Sequence, residues 1–174
     1  MSSFQKGWYI IYTRPRHERK VREALIKAGI ECYLPERMVL KQRKDRKKYI
    51  SEPLFPSYVF VFVTNMNSYY HGLGIDGANG YVKIGKELAR VSDSVINDIR
   101  LIQNANIAVE VTNTYFSAGE KLWVAFGVFQ GVECEFVTYK NKKMGLIRLV
   151  NQNLLITLPL NNLSSAAEPR QLIS

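Results

Sequence analysis

At 174 residues, 47% of them hydrophobic, the chain has room for one ordinary domain or two small ones, each able to bury a core. A formal net charge of +9 says little about fold but favours polyanionic partners, nucleic acid or acidic protein surfaces. No apolar run reaches the roughly 18 residues of a membrane helix, and the N-terminus lacks the charged-then-apolar pattern of a secretion signal, so a soluble cytoplasmic protein with no membrane partner is expected.

Trp8-Tyr9-Ile10-Ile11-Tyr12-Thr13 is aromatic and β-branched and reads as a strand. Thr13 can cap a helix and Pro15 suits its first turn. From Arg16 to Ala28, Val21, Ala24, Leu25 and Ala28 recur at three- and four-residue steps, with the charges opposite, so an amphipathic helix is predicted. Gly29 supplies its left-handed stop. A solvated face is the plain reading of those charges; Arg16 and Arg19 stand as candidates for nucleic-acid contact.

Ile30 to Leu40 is a second extended segment, with a bend or edge at Pro35. Lys41 to Lys48 is almost all positive and reads as the turn leading to a strand at Tyr49 to Ser51. A hairpin tip with Lys41, Arg43, Lys44, Arg46, Lys47 and Lys48 against one Asp is denser than solubility requires, which makes it a candidate phosphate contact.

The strand Tyr58 to Val63 is apolar on both faces, with Tyr58, Phe60 and Phe62 on one and Val59, Val61 and Val63 on the other. Such a strand is normally central and covered twice. A short helix is expected before Gly74, with Met66, Tyr69, Tyr70 and Leu73 on one side. The glycines of Gly72-Leu73-Gly74-Ile75-Asp76-Gly77 formally match a dinucleotide loop, but they follow a helix and not a strand, so that reading is rejected. Tyr81 to Ile84 is a short strand, and Ser92 caps a helix with Val95, Ile96, Ile99 and Ile102 on one side. This order suits an α+β sandwich with helices on one face of a mainly antiparallel sheet, leaving the other face of the Tyr58 strand bare for docking.

Residues 107–117 read as a linker between a domain over 1–106 and a second over 118–165, with a frayed tail at 166–174. In the second, short strands separated by tight turns point to a small closed barrel. Nothing argues for catalysis or a cofactor. His17 and His71 lie at no nucleophile-and-base spacing, Cys32 and Cys134 are isolated thiols of a reduced protein, and no zinc set or phosphate loop is present.

Trp8-Tyr9, Tyr12-Thr13, Glu18, Val21, Leu25 and Pro35, then Pro53-Leu54-Phe55-Pro56-x-Tyr58-Val59-Phe60-Val61, resemble the NusG-type transcription elongation factors. Gly127-x-Phe129-x-Gly131 looks like the KOW module, an SH3-like barrel, that such factors carry at the C-terminus. Ser57, where housekeeping members usually have Gly, and the stretch Asp45 to Pro53 look more like the specialised paralogues of RfaH, UpxY and LoaP type. The resemblance implies a non-enzymatic, monomeric factor that docks on the clamp helices of RNA polymerase and increases processivity or antitermination on long operons. It implies a docking surface of Tyr12, Phe55, Phe60, Tyr81 and Ile96, with His71 near a contact to the opposite jaw. The basic hairpin would face the non-template DNA strand or nascent RNA. The KOW domain would recruit a small-subunit ribosomal protein or Rho through Phe129, Val150 and Asn151. A free-standing RNA-binding protein, stacking bases on Tyr58, Phe60 and Phe62, is the alternative.

Overall fold

A computed structural model describes residues 5–43, 46–104, 109–112, 115, 117, 119–124, 133–148, 153–157 and 163–165. The chain divides into two units, Met1–Gln103 and Asn104–Ser174. In order, the elements up to Asn104 are β1 (Gly7–Thr13), α1 (Glu18–Lys27), β2 (Cys32–Tyr33), β3 (Glu36–Arg43), β4 (Arg46–Pro53), β5 (Tyr58–Val63), α2 (Met66–Leu73), β6 (Ala78–Tyr81), β7 (Lys83–Ile84), β8 (Glu87–Leu88), β9 (Arg90–Val91) and α3 (Asp93–Asn104).

The central strand is β1. It pairs antiparallel with β5 from Gly7↔Val63 to Tyr12↔Tyr58, and its other edge takes β6 and β9. On the far side of β5 lies β2. The alternation of β1 and β5 therefore makes two apolar faces. Tyr9, Ile11, Val59, Val61 and Val63 form the first, packed with Val21 and Leu25 of α1 and with Tyr81. Tyr69 of α2 stacks on Tyr81 with ring centroids 4.6 Å apart.

The second face carries Trp8, Ile10, Tyr12, Tyr58, Phe60 and Phe62, and it is not bare. The Arg100 guanidinium of α3 stands 5.6 Å from the Trp8 ring centroid and 5.2 Å from that of Tyr33. The Tyr33 hydroxyl donates to Gln103 Oε1 at 2.5 Å, and Gln103 Nε2 donates to the Glu36 carbonyl at 3.1 Å. Ile96, Ile99 and Ile102 are buried. Helices therefore lie on both faces, against the expectation of one. The cause is simple: α1 and α2 fill the first face, so the apolar stripe of α3 is buried against the aromatic one.

Local chemistry shifts other boundaries. Thr13 does not cap α1; His17 takes that position without a side-chain bond, and the helix starts at Glu18. Gly29, at φ +69°, ends it as expected. The basic stretch is not a loop but the outer half of a ribbon, with Lys41↔Lys48, Gln42↔Lys47 and Arg43↔Arg46 paired across β3 and β4. In α2, capped by the reciprocal Asn65–Ser68 bonds, only Tyr69 of the expected apolar side turns inward; Met66, Tyr70 and Leu73 are exposed.

The second unit adds β10 (Val109–Thr112), β11 (Glu120–Val124), β12 (Glu133–Tyr139), β13 (Lys142–Arg148), β14 (Asn153–Thr157) and β15 (Leu163–Ser165). All pair antiparallel in the order β10-β14-β13-β12-β11-β15. Strand β10 falls inside the stretch read as a linker. Lys140 and Asn141, at φ 49° and 61°, form the two-residue turn between β12 and β13, matching the twist of the strands. Arg148 closes a two-bond pair on Glu135 at 2.7 and 2.8 Å.

Gly72 in α2 has a specific reason to lack a side chain: an added Cβ would press into the Tyr81 hydroxyl and lie 3.3 Å from Ile11 Cδ1. Overpacking costs roughly 1–3 kcal/mol, against a helix-propensity gain of about 1 kcal/mol for Ala over Gly. Gly72→Ala is expected to lower the urea midpoint, and the loss should be smaller when Gly72→Ala is made in a Tyr81→Phe background. A midpoint lowered equally in both backgrounds would contradict the assignment.

Candidate functional site

Around the C-terminal end of β1, the Leu54-Phe55-Pro56-Ser57 run and the start of α1 are latched together. The Thr13 N–H donates to the Ser57 carbonyl at 2.8 Å, and the Ser57 N–H donates to Glu18 Oε1 at 2.7 Å. Glu18 is buried, so this charge-assisted bond lies out of water. Ser57 sits at φ +63° and Arg16 at φ +65°, in the left-handed region that non-glycine residues seldom adopt. The latch fixes Tyr12, which is 45% exposed and meets Tyr58 edge-on at 5.9 Å. Among the described aromatic residues of the second face, Trp8, Tyr58 and Phe60 are buried and Phe62 is half-buried, so Tyr12 is the most exposed.

The other expected docking residues do not join it as one surface. Phe55 and Phe60 are 0% exposed, with rings 5.8 Å apart edge to face, and Ile96 is 1% exposed. These three are core under Tyr12, because the second face is roofed. Tyr81 pairs with Ile11 and so belongs to the first face, where burial and the Tyr69 ring hold its hydroxyl protonated. His71 is exposed on α2, on the rim of a hollow of about 420 Å³ that Gly29, Phe62 and Asn65 also line. Of the three rings on which the alternative reading would stack bases, Tyr58 and Phe60 are buried and Phe62 is half-buried. Burial also pushes the Tyr33 hydroxyl up to about 12, with Arg100 pulling the other way, so it remains a donor to Gln103 at neutral pH.

The β3–β4 ribbon forms a separate two-stranded sheet. An isolated hairpin is marginal in water, and this one is anchored at its base. Arg19 donates to Glu36 Oε1 at 2.7 Å and to the Ser51 carbonyl at 2.6 Å, Arg22 reaches Glu36 at 3.4 Å, and Leu54 N–H donates to the Pro35 carbonyl at 2.7 Å. Arg19, a nucleic-acid candidate, is thus committed to the anchor. Lys41 pairs with Glu52, whose carboxyl is held below its usual range chiefly by that hydrogen bond. Arg46, Lys47 and Lys48 are exposed and have no ion-pair partner among the described residues, and the same holds for Arg16. Arg14 and Lys20, by contrast, share Asp76 at 3.4 and 2.6 Å.

Arg43 is described only through its backbone pairing with Arg46, and Lys44, Phe129, Val150 and Asn151 lie outside the described residues. The sequence reading passed over Met38, Leu40 and Tyr49, which are 59%, 47% and 64% exposed on the ribbon. Their signal was the alternation of apolar and basic residues on both sides of the tip, legible once the register is known.

Truncation separates the core role from the surface role. Phe55→Ala is expected to destabilise the chain by roughly 3–5 kcal/mol, as for buried aromatic residues. Tyr12→Ala should cost about 1 kcal/mol or less, chiefly the edge contact with Tyr58. Denaturant unfolding measures both, and equal losses would place Tyr12 in the core.

Comparison with known proteins fits this geometry. The family model NusG, described as transcription termination factor nusG, matches residues 6–100. The transcription termination/antitermination protein NusG of Streptococcus pyogenes serotype M3 is 23% identical over 84% of this chain and 88% of its own length. The protein of the same description from Lactococcus lactis subsp. lactis is also 23% identical, over 83% of this chain and 84% of its own. The solved structure of Thermotoga maritima NusG, a study of its domain interaction, superposes with a TM-score of 0.50 at 21% identity, covering 94% of this chain and 98% of that one; this likeness is one of fold. With more than half of its length matched by the family model, and with the latch and paired sheet built from those same residues, the chain belongs to the NusG family.

Proposed function

We propose that this chain is a transcription elongation and antitermination factor without enzymatic activity, acting from the surface of RNA polymerase. The family match over residues 6–100 carries the reading. Within those residues, exposed Tyr12 supplies the apolar contact to the clamp helices, and buried Phe55 and Phe60 hold the second face rigid beneath it. His71, exposed on α2, supplies the contact to the opposite jaw in this reading. The exposed cations Arg46, Lys47 and Lys48, with Arg16, none of them ion-paired among the described residues, face the non-template DNA strand or nascent RNA, where each phosphate met releases counterions.

The second unit, a six-stranded antiparallel arrangement in its described residues, is proposed to be a KOW-type barrel. Through Phe129, Val150 and Asn151 it would engage a small-subunit ribosomal protein or Rho. The specialised role on long operons rests on Ser57. It adopts a left-handed backbone that glycine takes without strain, so a serine there is a costly choice.

Co-purification with core polymerase tests the docking claim. Tyr12→Ala should lose most of the bound polymerase while keeping the wild-type unfolding midpoint within about 1 kcal/mol of stability. Retained binding would remove Tyr12 from the interface. In a separate measurement, replacing Arg46, Lys47 and Lys48 by Gln should flatten the salt dependence of single-strand binding by roughly 0.7 per lost phosphate contact. An unchanged slope would make the ribbon tip merely solvated.

A further inference from the structure

The edges of the β3–β4 ribbon can be sorted from its register. In an antiparallel pair, opposite residues alternate between those that bond each other and those whose N–H and C=O groups turn away. The Ser51 carbonyl accepts from Arg19 at 2.6 Å and the Glu36 carbonyl from Gln103 at 3.1 Å, so both turn outward. Met38↔Ser51 is then a turned-away pair, and the alternation assigns Leu40↔Tyr49 and Gln42↔Lys47 to the same set. Beyond the Arg19 anchor, the main-chain groups on the outer edge of β4 are therefore those of Tyr49 and Lys47. Among the described residues β4 pairs with no strand but β3, so this edge is capped at its base and open toward its tip.

An open edge is a template for a further strand. The side chains decide which strand it accepts. Tyr49 is 64% exposed, and Arg46, Lys47 and Lys48 are exposed with no ion-pair partner among the described residues. A second copy of β4 would set cation against cation, and like charges directly opposite are destabilising. An incoming strand of opposite charge removes that penalty. Opposite residues share a face, so carboxylates belong across from Lys48, Lys47 and Arg46, and an apolar side chain across from Tyr49. We propose that the outer edge of β4 takes an extended acidic segment of a partner protein as a third strand, bonded through the main chain of Tyr49 and Lys47. Running antiparallel to β4, that segment reads as one apolar residue followed by three acidic ones. Its carboxylates meet the same cations as a phosphate backbone would, but only a polypeptide repeats N–H and C=O groups at strand spacing.

Two end-capped peptides of equal charge test this on the full chain by fluorescence anisotropy. One carries a valine followed by three glutamates. The other is the same peptide N-methylated at the valine and the middle glutamate, the two amides that would face β4. The first should bind, and the second roughly 5- to 100-fold more weakly, as the loss of two main-chain hydrogen bonds implies. Tyr49→Ala should weaken the first peptide and Tyr49→Phe should retain it. Amide exchange supplies a readout that charge alone does not move: the Tyr49 and Lys47 amides should slow on binding, and that of Lys48, already turned to β3, should not. No binding, equal binding of the two peptides, or binding without that alternating protection would overturn the proposal. The same protection from a single-stranded oligonucleotide would overturn it too, giving the edge to nucleic acid.

Discussion

The clasp of α3 on the aromatic face of the sheet governs the rest of the first unit. A single cation, Arg100, lies over both Trp8 and Tyr33, and Gln103 bridges the Tyr33 hydroxyl to the Glu36 carbonyl. Cation–ring contacts of this type contribute roughly 0.5–2 kcal/mol each, rising as water is excluded. Burial of Ile96, Ile99 and Ile102 adds the larger share, about 1.5–3 kcal/mol for each side chain fully removed from water. One helix thereby closes the core and braces the first residue of the projecting ribbon.

Two exposed features are left standing on this rigid body. Tyr12 is presented by the Thr13–Ser57–Glu18 latch, and the ribbon is presented by the Arg19–Glu36 anchor. Both fixings start on α1, with Glu18 and Arg19 adjacent on its first turn. A helix that looks in sequence like an ordinary amphipathic element thus sets the aim of an aromatic contact and of a cationic arm. Backbone strain at Arg16 and Ser57 sits beside the first of these, where a rigid presentation is worth its cost.

Much of this was legible in the residues. The aromatic and β-branched run of β1, the doubly apolar β5, the α1 stripe of Val21 and Leu25, and the Gly29 stop are local signals, and the coordinates follow them. The side on which α3 packs was not legible. Its stripe announces a buried face but carries no sign for which face of the sheet receives it, and that choice decides whether Phe55 and Phe60 are surface or core. Strand β9 escaped for another reason: two residues, Arg90 and Val91, make no period, and only the free edge of β1 turns them into a strand. The basic ribbon was read as a turn because charge density outweighed the alternation of Met38, Leu40 and Tyr49.

Native-state hydrogen exchange of the chain, free and bound to core polymerase, addresses the account at its centre. The amides of α3 around Ile96 to Ile102 should be equally protected in both states, and new protection should appear at the Tyr12 end of β1. Loss of protection across α3 on binding would mean that the helix lifts off and the aromatic face beneath it is the true docking surface.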